Sequence, residues 1–155
     1  MQILGVRSST EEVWYAILEF NGDKARFVNA VEENRLTFPA SAKNPEEKIY
    51  WLYQELDRVL SLYTEIERIA LKMAEHHPGG QKNADREIAY YDSVILLVAA
   101  QRRKTVSVKR YTSIGTNSSR VKTLAEEITG LTEYNWAAKL ADAVAVAWSE
   151  REKIT

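Results

Sequence analysis

Residues 2–29 read QILGVRSSTEEVWYAILEFNGDKARFVN, and the order of apolar, turn and charged residues in this stretch sets the fold class. Gln2 to Val6 carries Ile, Leu and Val, residues that suit a pleated, half-buried surface. Val13 to Phe20 is rich in β-branched and aromatic residues and reads as a buried strand. Between that run and the next, Asn21-Gly22-Asp23 is a hairpin signal, because Asn and Gly tolerate the positive φ angles of tight hairpin turns. Ala25 to Asn29 then pairs back as a third strand. The first thirty residues therefore predict an antiparallel meander.

Beyond the meander the period changes. Glu33 to Lys43 is a polar connection containing Pro39. Asn44-Pro45-Glu46-Glu47 opens a helix, with Asn as cap, Pro in the first turn and acids at the positive end of the dipole. Ile49, Leu52, Tyr53, Leu56, Val59 and Leu60 keep helical spacing to about Leu62. Glu65 to Leu71 is a strand, Ala84 to Arg103 a helix, Thr105 to Tyr111 a strand, Arg120 to Thr129 a helix stopped by Gly130, and Asn135 to Glu152 the last helix. The order β-β-β-α-β-α-β-α-α predicts an α/β domain over residues 1–155. Its mixed five-stranded sheet has three antiparallel strands, then parallel ones, with helices on both faces. Right-handed crossovers put the fourth strand beside the first.

Five stretches share one further pattern. Ile3-Leu4-Gly5-Val6-Arg7-Ser8-Ser9 ends the first strand, and Ile66-Glu67-Arg68-Ile69 lies in the fourth. Gln81-Lys82-Asn83-Ala84-Asp85 precedes the second helix, Val108-Lys109-Arg110 leads to Gly115, and Ala138 to Trp148 carries Lys139 and Asp142 three residues apart. In this order they resemble the RuvC-type Holliday-junction resolvases of the RNase H-like superfamily, over nearly the full length. In that family an Asp ends the first strand, a Glu sits on the fourth, and two acids three apart lie on the last helix. The resemblance implies that Arg7, Glu67, Lys139 and Asp142 stand at those positions.

Two-metal phosphodiester hydrolysis sets divalent ions ~3.5–4 Å apart, and Mg²⁺ is held by hard carboxylate oxygens. On this alignment two of the four acids are replaced by cations, and Arg7 stays charged at any useful pH. Glu67 and Asp142 then survive with Arg7 and Lys139 as degenerate partners, and the site needs no metal. If Glu11, Glu12 or Asp85 substitutes for the lost acids, Glu67 and Asp142 bind Mg²⁺ or Mn²⁺ in an active endonuclease. If the chain is instead an ordinary α/β domain, Glu67 is a buried, paired carboxylate. His76-His77 sits in a Pro-Gly loop with no third ligand in view. The resemblance also implies a homodimer.

Composition narrows the partners. Hydrophobic content of 45% and charged content of 28% are ordinary for a globular chain, and there is no cysteine to form a disulfide. No apolar run approaches the ~18 residues of a membrane span, and the N-terminus carries no leader pattern, so the expected location is cytoplasmic. Net charge is −1, yet its distribution is uneven. From Ser93 to Ala125 there is no acid, and seven cations: Arg102, Arg103, Lys104, Lys109, Arg110, Arg120 and Lys122. Such a run is either a solvated face or a phosphate-binding surface for DNA or RNA. Tyr111, beside Lys109 and Arg110, is the candidate for base stacking, and Gly115 to Ser119 is a candidate phosphate cradle at a helix start. Trp14, Trp51, Trp136 and Trp148 read as core or dimer contacts. The sequence predicts an inactive RuvC-like domain that binds nucleic acid or acts as a scaffold in a nucleic-acid-processing or defence system. Its rivals are the active endonuclease and a protein-interaction module whose basic stretch meets an acidic partner.

Overall fold

The computed structural model describes residues 1–75 and 82–153. The strands are β1 (Gln2–Ser8), β2 (Glu12–Asn21), β3 (Lys24–Phe27), β4 (Arg35–Thr37), β5 (Ile66–Lys72) and β6 (Thr105–Lys109). The helices are α1 (Pro45–Leu62), α2 (Lys82–Gln101), α3 (Tyr111–Ile114), α4 (Val121–Thr129) and α5 (Ala138–Trp148), followed by a 3-10 turn at Arg151–Lys153. His76-His77 lies outside the described residues. Among those described, no helix is long and apolar enough to cross a membrane.

The meander forms as expected. Gly22 sits at φ 67° in the β2–β3 turn, a conformation that carries no steric cost for glycine. The sheet runs β3-β2-β1-β5-β6, with β1 and β5 parallel and β5 and β6 parallel. It has six strands rather than five. The extra one, β4, pairs Arg35 to Thr37 with Trp14 to Glu12 inside the stretch read as a polar connection. Only its Leu36 is buried, so three residues carry one apolar signal, too little for alternation to show. The last helix is also shorter than predicted, since Ala137 is still extended and serves as the N-cap of α5.

Strand alternation divides the core in two. Leu4, Val6, Tyr15, Ile17, Ile69 and Leu71 face α1 and α2. Ile3, Ala16, Leu18 and Ala70 face α4 and α5. Leu140 to Ala147 are all buried in α5, Asp142 included. Trp148 stacks on Phe20 and Trp136 on Phe27, with ring centroids 5.8 and 5.7 Å apart, so both tryptophans hold this layer against the meander.

Gly5 sets how near α5 comes to the sheet. A Cβ built on it would lie 1.9 Å from the Ala143 carbonyl oxygen and 3.0 Å from the Ala147 methyl. Neither backbone can yield locally, because β1 is flanked by β2 and β5. Gly5→Ala is therefore expected to lower the unfolding free energy by about 3 kcal/mol, the upper part of the overpacking range. Urea unfolding checks this, and a loss below about 1 kcal/mol would show that the helix is free to lift.

Candidate functional site

The site lies where β1 and β5 end beside α5. Val6 pairs with Leu71 in the parallel register, so Arg7 is level with Lys72 one residue further on. By alternation with Gly5 and Ala70, both side chains project to the α5 face. Asp142 meets them from α5. Arg7 Nε donates to Asp142 Oδ2 at 3.1 Å, and Arg7 Nη1 donates to the Ser8 carbonyl. The Tyr111 hydroxyl donates to the other Asp142 oxygen at 2.6 Å. Both carboxylate oxygens are thus taken, on a residue only 3% exposed.

Lys72 is the second buried cation, its side chain wholly covered. Its ammonium lies 3.0 Å from Glu75 Oε1 and 3.8 Å from the centre of the Tyr111 ring, and it donates to the Met73 carbonyl. Burial pulls its pKa below the usual lysine value, while the Glu75 hydrogen bond and the Asp142 charge oppose the fall. Glu75 also accepts the Tyr111 backbone N–H at 2.8 Å. That bond, more than Lys72, holds its carboxyl below the ordinary range. Burial, and the hydrogen bond given to Asp142, push the Tyr111 phenol well up. Asp92, on α2 beneath Arg7, is pushed up to about 6 by burial, against the opposing pull of Ser8, Arg7 and Lys72.

The positions expected from sequence are partly brought together. Arg7 and Asp142 meet directly. Lys139, one helical turn earlier on α5, is half-buried and makes no side-chain hydrogen bond or ion pair among the described residues. Glu67 does not join them. The register steps from Gln2↔Ile66 to Ile3↔Arg68, so Glu67 is the residue bulged out of the β1–β5 ladder, and it is exposed. It also starts the strand that Lys72 ends, roughly 16 Å away at ~3.3 Å per residue. The β5 side chain facing Arg7 and Asp142 is Lys72. Parity along the strand carried that signal, since Arg68, Ala70 and Lys72 share the face that Glu67 does not, but the bulge hid it.

These side chains do not suit a two-metal centre. Two cations converge with two carboxylates, Asp142 and Glu75, each already engaged by those cations and by Tyr111, where free hard anionic oxygens are required. Among the described residues no cluster of three or more His, Asp or Glu can hold a metal ion. Of the substitute acids, Glu12 faces Arg35 at 4.0 Å and Glu11 is exposed in the β1–β2 turn. Asp85 alone reaches the site. It lines a cavity of about 540 Å³ with Arg7, Lys72, Glu75, Ile88, Tyr111, Asn117 and Ser118.

The basic stretch is split rather than gathered on one edge. Arg102, Arg103 and Lys104 sit where α2 ends and β6 begins, the length of β6 away from the cavity. Arg102 is tied to Asp57 Oδ1 at 2.7 Å. Lys109 turns inward to the Ser149 carbonyl and hydroxyl at 3.2 and 3.0 Å and lies 3.7 Å from buried Glu150. Arg110, Arg120 and Lys122 remain exposed, and Arg110 lines a neighbouring pocket that shares Glu75, Asp85 and Ile88 with this cavity. Tyr111 is held in place, with the Lys72 ammonium over its ring and its hydroxyl on Asp142. In the Gly115–Ser119 turn, Asn117 Oδ1 already accepts the Ser119 and Arg120 backbone N–H groups, so the turn is self-capped.

Asp92 gives the site a pH signature. Its folded pKa of about 6 lies above its ordinary value of 3.8. The folded state therefore binds the proton more tightly, and stability rises as pH falls from about 6 towards 4. Asp92→Asn removes this dependence. The variant should be more stable at pH 7 by about 3 kcal/mol, and the difference should close towards pH 4. Urea midpoints across that range test it, and a gap that stays constant would refute the assignment.

No family profile and no curated protein sequence matches the chain. Solved structures do. RuvC of Thermus thermophilus superposes with a TM-score of 0.80 at 17% identity, covering 97% of this chain and 93% of that one. The same enzyme in complex with a Holliday junction substrate gives 0.79 at 17% identity over the same shares. The yeast mitochondrial Holliday junction resolvase Ydc2 gives 0.62 at 14% identity, covering 95% of this chain and 76% of that one. The chain has the RuvC-type, RNase H-like fold.

Proposed function

Starting from that fold, we propose that the chain is a RuvC-type domain that binds nucleic acid and does not cut it, serving as a scaffold subunit in a cytoplasmic nucleic-acid-processing system. The observation that carries this reading is the Arg7–Asp142 ion pair, with Lys72 beside it. A RuvC-type nuclease needs carboxylates at the end of β1 and on the facing β5 position, and here both are cations. Their charge repels a dication, the Asp142 carboxylate already has two donors, and Glu75 is engaged by Lys72 and the Tyr111 N–H. Binding is supported by the exposed Arg110, Arg120 and Lys122, and by the fold shared with a protein solved on a Holliday junction.

Purified protein should leave four-way junctions, flaps and single strands intact in Mg²⁺ and in Mn²⁺, while shifting them in a gel. Each phosphate neutralised contributes about −0.9 to the slope of log K against log salt on duplex DNA. Arg110→Glu with Lys122→Glu should weaken binding for all sequences alike, because phosphate contacts carry no base information. Metal-dependent cleavage that disappears in Asp85→Asn would replace this reading with the active enzyme.

The reading includes a homodimer. The outer face of α2 exposes Tyr90, Leu96 and Leu97, the last at 52%, and Val108 of edge strand β6 is 43% exposed. Large exposed apolar side chains on one element and its neighbour fit an interaction surface. Sedimentation should show two copies, reduced to one by Leu97→Asp with no loss of folding. A monomeric parent protein would remove the dimer from the proposal.

A further inference from the structure

We infer that the cavity at the ends of β1 and β5 takes a phosphate group of a nucleic-acid strand on the Arg7 guanidinium, with no metal ion between them. This rests on the reading of the chain as a nucleic-acid-binding domain.

The cavity, about 540 Å³, lies within the size range of small-ligand pockets. Its wall includes Arg7 and Lys72 but not Asp142. The carboxylate that orients Arg7 thus stands behind the guanidinium and does not compete for it from the cavity side. Arg7 is held at two points, Nε on Asp142 and Nη1 on the Ser8 carbonyl. Nη2 makes no hydrogen bond among the described residues, and the side chain keeps 13% exposure. A guanidinium is a planar fork matched to phosphate oxygens, and one already fixed in place loses little freedom on binding. Asp142 is itself fixed by the Tyr111 hydroxyl at 2.6 Å, so the whole support is rigid.

The rest of the wall fits the same ligand with one exception. Lys72 adds a positive charge behind the surface, and Asn117 and Ser118 supply neutral polar groups. Glu75 is already committed to Lys72 and to the Tyr111 N–H. Asp85 is the exception. It has no hydrogen bond or ion pair among the described residues, and its charge opposes an anion.

The test uses the whole protein and fluorescent single-stranded DNA, with a 5′-phosphate or a 5′-hydroxyl end, followed by anisotropy in EDTA and in Mg²⁺. Arg7→Gln combined with Asp142→Asn removes both charges together and leaves no lone buried carboxylate. That variant should bind roughly tenfold more weakly, the scale of one hydrogen bond to a charged group. Its salt slope should be shallower by about 0.7, one phosphate on a single strand. Asp85→Asn, a change at an exposed residue, should tighten binding severalfold and covers the case in which the double variant folds poorly. Wild-type affinity should be the same with and without Mg²⁺. An Arg7 dependence larger for the 5′-phosphate strand assigns the terminal monoester, and an equal dependence assigns the backbone diester. Unchanged affinity and slope in the double variant, no gain in Asp85→Asn, or binding that requires Mg²⁺ would each overturn the inference while leaving nucleic-acid binding in place. No binding by the wild type would overturn both.

Discussion

The contact between Gly5 and α5 is the constraint on which the rest of the site depends. Because position 5 has no side chain, the Ala143 carbonyl occupies the space a methyl group would fill. That closeness brings Asp142, one residue earlier on the helix, within reach of Arg7, two residues later on the strand. A helix riding on larger side chains would lie farther from the sheet, and the pair would no longer be in hydrogen-bond contact. The small residues Ala143 and Ala147 of α5 serve the same end, since both lie against the Gly5 position.

The charges that this closeness brings together are balanced locally. Arg7 is neutralised by Asp142, and Lys72 by Glu75. Tyr111 joins the two pairs, giving its hydroxyl to one carboxylate and its backbone N–H to the other while its ring covers the ammonium. Buried ion pairs contribute little net stability, because desolvation offsets their attraction. Breaking one is costly, since it strands the partner. The cluster therefore acts less as glue than as a fixture, holding the ends of β1 and β5, the start of α3 and the middle of α5 in one arrangement.

Much of this was legible in the sequence where local rules act alone. The Asn21-Gly22 turn, the Pro45 helix start and the Gly130 stop depend on neighbouring residues, and each forms as read. The RuvC-type architecture was legible from element order, as was the approach of Arg7 to Asp142. What could not be read depends on pairing between distant strands. Glu67 was assigned by its place in a strand, but a single bulged residue shifts every side chain behind it to the other face. Lys72, five residues further along β5, faces Arg7 and Asp142 instead. The basic stretch was contiguous in sequence, yet β6 carries its two parts to opposite ends of one edge strand. Strand β4 was invisible because one buried leucine has no period.

The interlocking of Arg7, Lys72 and Asp142 bears on how this chain can change over generations. An acid at position 7 alone would set two carboxylates against each other, with Asp142 only 3% exposed. A neutral residue at 142 alone would leave Arg7 buried without its counterion. Either step passes through a poorly folded intermediate, since a buried charge stripped of its partner costs about 3–5 kcal/mol, a large fraction of a typical domain's stability. The three positions are thus epistatic: each is viable only against the background set by the others.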